Sequence, residues 1–98
     1  MLGVVMTSES REDVRLAARW YEDQRSGLGR EFIAQIRETF ASMSSRPLSF
    51  PTAYRQMRRA KLHRFPYGVF FVVNPEQRIV ILAVVDLRRH PKTWKSRG

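Results

Sequence analysis

The residues best suited to chemistry are cationic, and they form two groups in the second half of the chain. One group lies between Tyr54 and Phe65, and the other follows an apolar run that ends at Val85. Arginine offers paired donors in a fixed fork and lysine offers a compact charge, so together they can bind a phosphate or carboxylate group. The candidate anion-binding residues are Arg58, Arg59, Lys61, Arg64, Arg88 and Arg89.

Cleavage of a phosphodiester would also need a proton acceptor and a proton donor. Asp86, His63 and His90 are the candidates. An unperturbed aspartate has a pKa near ~3.9, which is too low for a good general base at neutral pH, and a nearby arginine lowers it further. We therefore interpret Asp86 as the partner of Arg88 or Arg64 in an ion pair. A single histidine is more often structural than catalytic.

Composition indicates one domain, 1–98, of a protein that works in a reducing cytoplasm. A chain of 98 residues is long enough to bury a core of its own. It has no cysteine, which excludes a disulfide framework and thiolate metal sites. The longest apolar run has seven residues, too few to span a bilayer. We expect no membrane segment, no metal and no cofactor.

The net charge of +9 is concentrated in one half of the chain. Residues 1–49 hold seven basic and seven acidic side chains, whereas residues 50–98 hold eleven basic and two acidic ones. Such an excess favours a polyanionic partner, either nucleic acid or an acidic protein segment.

Two apolar runs, Val69–Val73 and Ile79–Val85, must form the centre of the fold. Both are rich in β-branched or aromatic residues and show no helical spacing, which predicts strands. The intervening Asn74-Pro75-Glu76-Gln77 suits a type I turn, since proline presets φ at the second position. The sequence therefore predicts an antiparallel hairpin that is covered on both faces.

Two amphipathic helices precede this hairpin. The first follows possible N-caps at Thr7, Ser8 or Ser10, the last with Asp13 in a capping box, and ends near Gln24. Its predicted buried stripe consists of Val14, Ala17, Ala18 and Tyr21, widened by Leu16 and Trp20. The second helix runs from near Gly29 to near Ser45, with Phe32, Ile33, Ile36, Phe40 and Met43 on one face.

The remaining segments complete an α+β fold. Leu2–Met6 can form an edge strand, and the basic segment that contains Ala60 and Leu62 can form a strand with one apolar and one cationic face. Trp94 is expected to dock a short helical turn. We predict an antiparallel sheet of three to four strands, covered on one face by an N-terminal αα-hairpin.

Four segments in this order resemble the RelE/ParE family of toxins from type II toxin–antitoxin pairs. They are Trp20-Tyr21-Glu22, Gly27-Leu28-Gly29-Arg30-Glu31-Phe32, Arg58 through Leu62 to Phe65-Pro66-Tyr67, and Ala83-Val84-Val85-Asp86-Leu87-Arg88-Arg89-His90-Pro91 with Trp94. The resemblance implies a bacterial cytoplasmic toxin, a small sheet that carries two helices, and a neutralising antitoxin in a hetero-oligomer.

The resemblance leaves two targets, because the family contains both inhibitors of DNA gyrase (ParE-like) and ribosome-dependent mRNA endonucleases (RelE-like). The Trp-Tyr-Glu and Gly-Leu-Gly segments and the basic tail are more similar to the ParE-like side. Relatives with a His-x-Arg-Arg-x-Pro ending carry histidine where this chain has Asp86, and this departure counts against a nuclease. If the chain is a nuclease, its expected catalytic set is Arg58, Arg59, Lys61, Arg64, Asp86, Arg88 and His90.

Two further interpretations are an inactive toxin homologue and a basic nucleic-acid-binding module. Under the toxin interpretation, the antitoxin would present an acidic, partly disordered segment to the cationic half of the chain. The residues expected to bind the target or the antitoxin are Arg58, Arg59, Lys61, Arg64, Arg88, Arg89 and Trp94.

Overall fold

A five-stranded sheet carries a pair of helices on one face and a short helix on the other. The computed structural model describes residues 1–98. The α+β class and the αα-hairpin are confirmed, and no helix is both long and apolar enough to cross a membrane. In chain order the elements are β1 (Gly3–Met6), α1 (Ser8–Gln24), α2 (Leu28–Ser45), β2 (Thr52–Tyr54), β3 (Met57–Lys61), β4 (Tyr67–Val73), β5 (Arg78–Asp86) and α3 (Lys92–Lys95).

The strands lie in the order β1-β5-β4-β3-β2, so the predicted hairpin occupies the middle of the sheet. All neighbours are antiparallel except β1, which runs parallel to β5. The sheet has five strands rather than the predicted three to four, because β2 escaped prediction. Its three residues pair only through Thr52 with Arg58 and Tyr54 with Met57, and a strand this short shows no alternating pattern.

The hairpin turn follows the predicted chemistry. The Gln77 amide donates to the carbonyl of Asn74 over 3.0 Å, and the Arg78 amide donates to Asn74 Oδ1 over 2.9 Å. Gln77 has a φ of 62°. A type I turn followed by one left-handed residue is a common three-residue hairpin loop, and it matches the twist of the flanking strands.

A β-bulge at Leu82 shifts which side chains of β5 face the helices. Phe71 pairs with Ile81 and Phe70 pairs with Ala83, so Leu82 has no partner on β4. Ile79, Ile81 and Val84 consequently belong to the core beneath the helices, although strict alternation would turn Val84 away. The bulge therefore turns Val84, and by alternation Asp86, towards the helix face.

Each face of the sheet has its own core. Beneath the helices, the ring of Phe32 packs against those of Tyr21, Phe65 and Tyr67, with centroid distances of 5.2–5.3 Å. On the opposite face, Trp94 stacks on Phe70 with 4.2 Å between ring centroids, which confirms the predicted docking of the C-terminal helical turn. The apolar hairpin is thus covered on both sides.

Among the three predicted N-caps of α1 the structure selects Thr7, whose Oγ1 accepts from the Ser10 amide over 3.1 Å. Two other predictions about this helix are wrong. Ser10 lies inside the helix and forms no capping box with Asp13. Leu16 and Trp20 do not widen the buried stripe, since they are 53% and 56% exposed. They lie on the side of α1 that borders the C-terminal part of β5, where β1 no longer pairs with that strand.

The turn between α1 and α2 is held by one carboxylate. The two oxygens of Glu22 accept from the amides of Gly27 and Gly29, each over 3.0 Å, and these bonds lower the pKa of Glu22. Gly27 has a φ of 91°, which favours glycine. At Gly29 a Cβ would lie 2.6 Å from the carbonyl oxygen of Ala18, so the close helix crossing also requires glycine.

We expect Phe32→Ala to lower the free energy of unfolding by about 3–5 kcal/mol, because Phe32 is fully buried in the aromatic cluster. Trp20→Ala, which truncates an exposed aromatic, should cost less than about 1 kcal/mol. Chemical denaturation of both variants tests this. Equal losses would contradict the assignment of Phe32 to the core and Trp20 to the surface.

Candidate functional site

An open groove lies between α1 and the C-terminal part of β5. It has a volume of about 540 Å³ and combines apolar, aromatic and charged side chains. Its lining residues are Asp13, Leu16, Ala17, Trp20, Tyr21, Tyr67, Val84, Val85, Asp86, Arg88 and Arg89.

The groove exists because β5 is longer than its neighbour β1. The parallel pairing ends where Met6 meets Ile81, with one further bond from the Thr7 amide to the Ile81 carbonyl, whereas β5 continues to Asp86. From Leu82 onwards no strand covers this edge of β5. The bulge at Leu82 directs Val84 and Asp86 into the space that remains under α1.

One wall of the groove is apolar and accessible. Leu16 and Trp20 lie four residues apart, so they share one side of α1, and each is about half exposed. The rings of Trp20 and Tyr21 pack edge to face with 5.1 Å between their centroids, which places an exposed aromatic side chain beside the buried core. Exposed apolar side chains that adjoin each other are characteristic of surfaces that bind a partner.

The opposite wall carries an ion pair. Arg88 donates to Asp86 through Nε over 2.9 Å, through Nη2 over 2.6 Å and through its amide over 2.9 Å. This confirms the predicted ion pair of Asp86 and selects Arg88 rather than Arg64 as its partner. The Arg88 guanidinium lowers the pKa of Asp86, and the carboxylate raises the pKa of Arg88.

The pKa values of the two tyrosines in the groove are raised above the usual value for a phenol. Burial is the main cause that raises the pKa of Tyr21 and of Tyr67, and the negative charge of Asp86 adds to both shifts. The carboxyl is thus a weaker base than usual and the phenols are weaker acids. These groups are suited to binding and packing rather than to proton transfer at neutral pH.

A second ion pair closes part of the uncovered edge of β5. The amide of Val84 donates to Asp13 Oδ2 over 2.9 Å, and Arg97 donates to both Asp13 oxygens and, over 3.2 Å, to the carbonyl of Leu82. The bond to Asp13 raises the pKa of Arg97. Sequence reasoning missed this pair, because its members are 84 residues apart in the chain and the sequence pattern assigns Asp13 to a capping box instead.

The predicted cationic residues occupy three separate places. Arg88 and Arg89 line the groove. Arg59 and Lys61 lie on the same face of β3 as Met57, which is the face of the sheet away from α1 and α2. Arg58 points to the helix side, where it donates to the carbonyl of Phe50 over 2.6 Å, and Arg64 pairs with Glu31 of α2. Trp94 lies on α3 and is buried against Phe70 of the sheet.

The two histidines also lie outside the groove lining. His90 Nδ1 accepts from the amide of Lys92 over 3.1 Å and so supports the start of α3. The backbone amide of His63 donates to Gln35 Oε1 over 3.1 Å while its side chain is exposed. No group of three or more histidines, cysteines or carboxylates is placed to hold a metal ion.

Comparison with known proteins gives a family match and two similar folds. A family model described as the ParE toxin of the type II toxin–antitoxin system parDE matches residues 4–91. A chain of the chromosomal ParDE toxin–antitoxin system from P. aeruginosa superposes with a TM-score of 0.65 at 15% identity, covering 88% of this chain and 96% of that one.

The toxin–antitoxin complex RelBE2 from Mycobacterium tuberculosis contains a chain that superposes with a TM-score of 0.60 at 20% identity. The alignment covers 87% of this chain and 96% of that one. No curated protein matches the sequence. At these identities the two structures support the fold alone.

We expect the Asp86–Arg88 pair to stabilise the fold in a pH-dependent way. Because the pKa of Asp86 is lowered on folding, its contribution is present above the unfolded value of ~3.9 and is lost as the pH falls through the folded value. Asp86→Asn should therefore be less stable than the parent at pH 7, and the two should converge in acid. Denaturation at several pH values measures this.

The matched control is Asp23→Asn, which removes an exposed carboxylate that has no ion pair. It should change the stability little at any pH. A deficit of the Asp86→Asn variant that stayed constant into acid would contradict an electrostatic role for the carboxylate.

Proposed function

The chain belongs to the ParE toxin family of type II toxin–antitoxin systems, and from this premise we propose that it stops bacterial growth by binding and inhibiting DNA gyrase. The observation that carries the proposal is the groove beside α1, which offers a contact surface without a poised acid–base group. Its exposed Leu16 and Trp20 are available to a protein partner, while its two carboxylates are held in ion pairs and its two tyrosines are at least partly buried.

A toxin that inhibits its target by binding needs a surface with an accessible apolar centre and a polar rim. The groove has both. Trp20 is the kind of residue that supplies much of the energy at protein interfaces, because a rigid aromatic buries a large area at a low entropic cost. Arg89 lines the same groove and makes no ion pair in the structure, so it can meet a carboxylate of the partner.

The alternative target, ribosome-bound mRNA, would require cations and a proton acceptor around one phosphate. In this fold Arg58 is engaged by a backbone carbonyl and Arg64 by Glu31, on the helix side of the sheet. Asp86 is tied to Arg88, which leaves it a poor general base. This dispersal favours gyrase inhibition over mRNA cleavage, which remains the alternative outcome of the test below.

The antitoxin is proposed to neutralise the toxin by occupying the same groove, in a cytoplasmic hetero-oligomer. An acidic, partly disordered segment would place apolar side chains on Leu16 and Trp20 and a carboxylate near Arg89. Both partners of the toxin would then compete for one surface, so that the bound antitoxin prevents contact with gyrase.

Controlled induction in bacteria, followed by pulse labelling of DNA and protein synthesis, distinguishes the targets. We expect DNA synthesis to fall first, and the purified protein to inhibit supercoiling by gyrase. Protein synthesis that collapses while replication continues would overturn the proposal in favour of an mRNA endonuclease. Normal growth with full expression would indicate an inactive homologue.

The groove itself is tested by Leu16→Ser combined with Trp20→Ser. Because this change removes the apolar wall, we expect the concentration needed for half-inhibition of supercoiling to rise at least about tenfold, the cost of losing roughly 1.4 kcal/mol or more of binding. Leu48→Ser is the matched control, since Leu48 is 71% exposed and lies outside the groove. Equal loss in both variants would contradict the assignment of the groove.

Arg89→Glu tests the role of charge in antitoxin binding. We expect a weaker complex whose affinity depends less on salt, because an ion pair at the rim is screened by electrolyte. Titration calorimetry with the cognate antitoxin at two salt concentrations measures both effects. Arg37→Glu, an exposed change on α2, is the control and should leave the affinity unchanged.

A further inference from the structure

Cations that do not line the groove collect on the face of the sheet opposite α1 and α2. On β3, Met57 packs into the core of this face, and Arg59 and Lys61 follow at alternate positions. Their register confirms the side: Arg59 lies beside Phe70, which stacks on Trp94, and Lys61 lies beside Gly68. Both side chains therefore project from the face that α3 partly covers.

Three more cations border the same face. The Arg55 guanidinium carbon lies 5.0 Å and the Lys95 ammonium 5.1 Å from the ring centroid of Tyr54, which packs against this core. Lys92 lies one turn before Lys95 on α3. The opposite face, as we name this surface from here on, thus presents Arg55, Arg59, Lys61, Lys92 and Lys95.

Acidic side chains are absent from this surface. The second half of the chain has only two carboxylates, of which Glu76 lies in the hairpin turn and Asp86 faces the helix side, paired with Arg88. The carboxylates of the first half lie on α1 and α2, against the other face of the sheet. None of the five cations forms an ion pair, as all five ion pairs of the chain involve other residues.

Arg59 lacks not only an ion pair but also a hydrogen-bond partner for one of its nitrogen atoms. Its Nε is enclosed by protein and has no hydrogen-bond acceptor, the one such side-chain atom in the structure. A buried donor without a partner calls for an explanation. An anion bound at the terminal nitrogens of Arg59 would compensate the charge that no protein group compensates.

We propose that the opposite face binds the phosphate backbone of duplex DNA. Five uncompensated cations on one surface match a polyanion, and arginine and lysine contacts to phosphates supply affinity that does not depend on base sequence. This proposal goes beyond inhibition of gyrase through the groove and does not depend on it, since the two surfaces lie on different sides of the sheet.

The aromatic residues of this face favour a duplex over a single strand. Recognition of single-stranded RNA or DNA relies on exposed rings that stack on bases. Here Trp94 is stacked on Phe70 and buried, while the ring of Tyr54 is flanked by Arg55 and Lys95. The four-residue α3 is too short to read the major groove, so the contacts are confined to the backbone.

The test is fluorescence anisotropy with a short labelled DNA duplex of mixed sequence, between about 50 and about 200 mM salt. Binding should weaken with salt, with a slope of log K against log [salt] of about −4 to −5 for five phosphate contacts. Lys61→Gln with Lys92→Gln and Lys95→Gln should make this slope shallower by about 2 to 3, and Lys61→Gln alone by about 1.

The matched control is the triple variant of Arg11, Arg30 and Arg37 to Gln. It removes the same charge from exposed positions on α1 and α2 and should keep the slope of the parent. All substituted side chains of both triple variants are exposed, so circular dichroism should show parental folds.

Equal losses in the two triple variants would overturn the proposal, because net charge rather than this surface would then bind DNA. The absence of salt-dependent binding by the parent would overturn it as well. Tighter binding of a single-stranded RNA or of an RNA duplex of the same sequence would replace DNA with RNA as the ligand. The assay contains no gyrase, so its result is independent of the supercoiling experiment.

Discussion

The β4–β5 hairpin has to be shielded from water on both faces, and most of the architecture follows from that requirement. Its side chains are apolar at nearly every position, so an arrangement with one wet face would expose a continuous hydrophobic surface. The αα-hairpin covers one face through the cluster around Phe32. On the other face, the stack of Trp94 on Phe70 allows a helix of only four residues to complete the cover.

The groove arises from two departures from regularity in β5. The strand extends beyond the end of β1, so from Leu82 onwards its backbone has no neighbouring strand on that edge. The bulge at Leu82 also changes the face of the sheet towards which the later side chains point. The unpaired backbone groups of an open strand edge can pair with another chain unless side chains or loops cover them. Asp13 and Arg97 satisfy the Val84 amide and the Leu82 carbonyl, which closes this part of the edge and leaves the side-chain groove above it accessible.

Local features of the fold could be predicted from the sequence, whereas features that depend on long-range geometry could not. The hairpin turn at Asn74, both helices and the Asp86–Arg88 pair involve residues close in the chain, where spacing determines contact. The pairing of Asp13 with Arg97 joins the two ends of the chain. The exposure of Trp20 depends on where the sheet ends beneath α1, and helical periodicity contains no information about the width of a sheet.

The same limit explains why one basic segment of the sequence became several surfaces. Neighbouring strand residues point to opposite faces, so Arg58 and Arg59 are adjacent in the chain and on different sides of the sheet. Arg58 donates to a backbone carbonyl and Arg64 pairs with Glu31. Arg59 and Lys61, in contrast, lie on a surface that has no acidic side chains. Because α1 and α2 hold most of the carboxylates and pack on one side, the fold separates a neutralised helix layer from an uncompensated cationic face. The excess charge of +9 is therefore unevenly distributed in space, and it lies where an external anion rather than the protein itself can balance it.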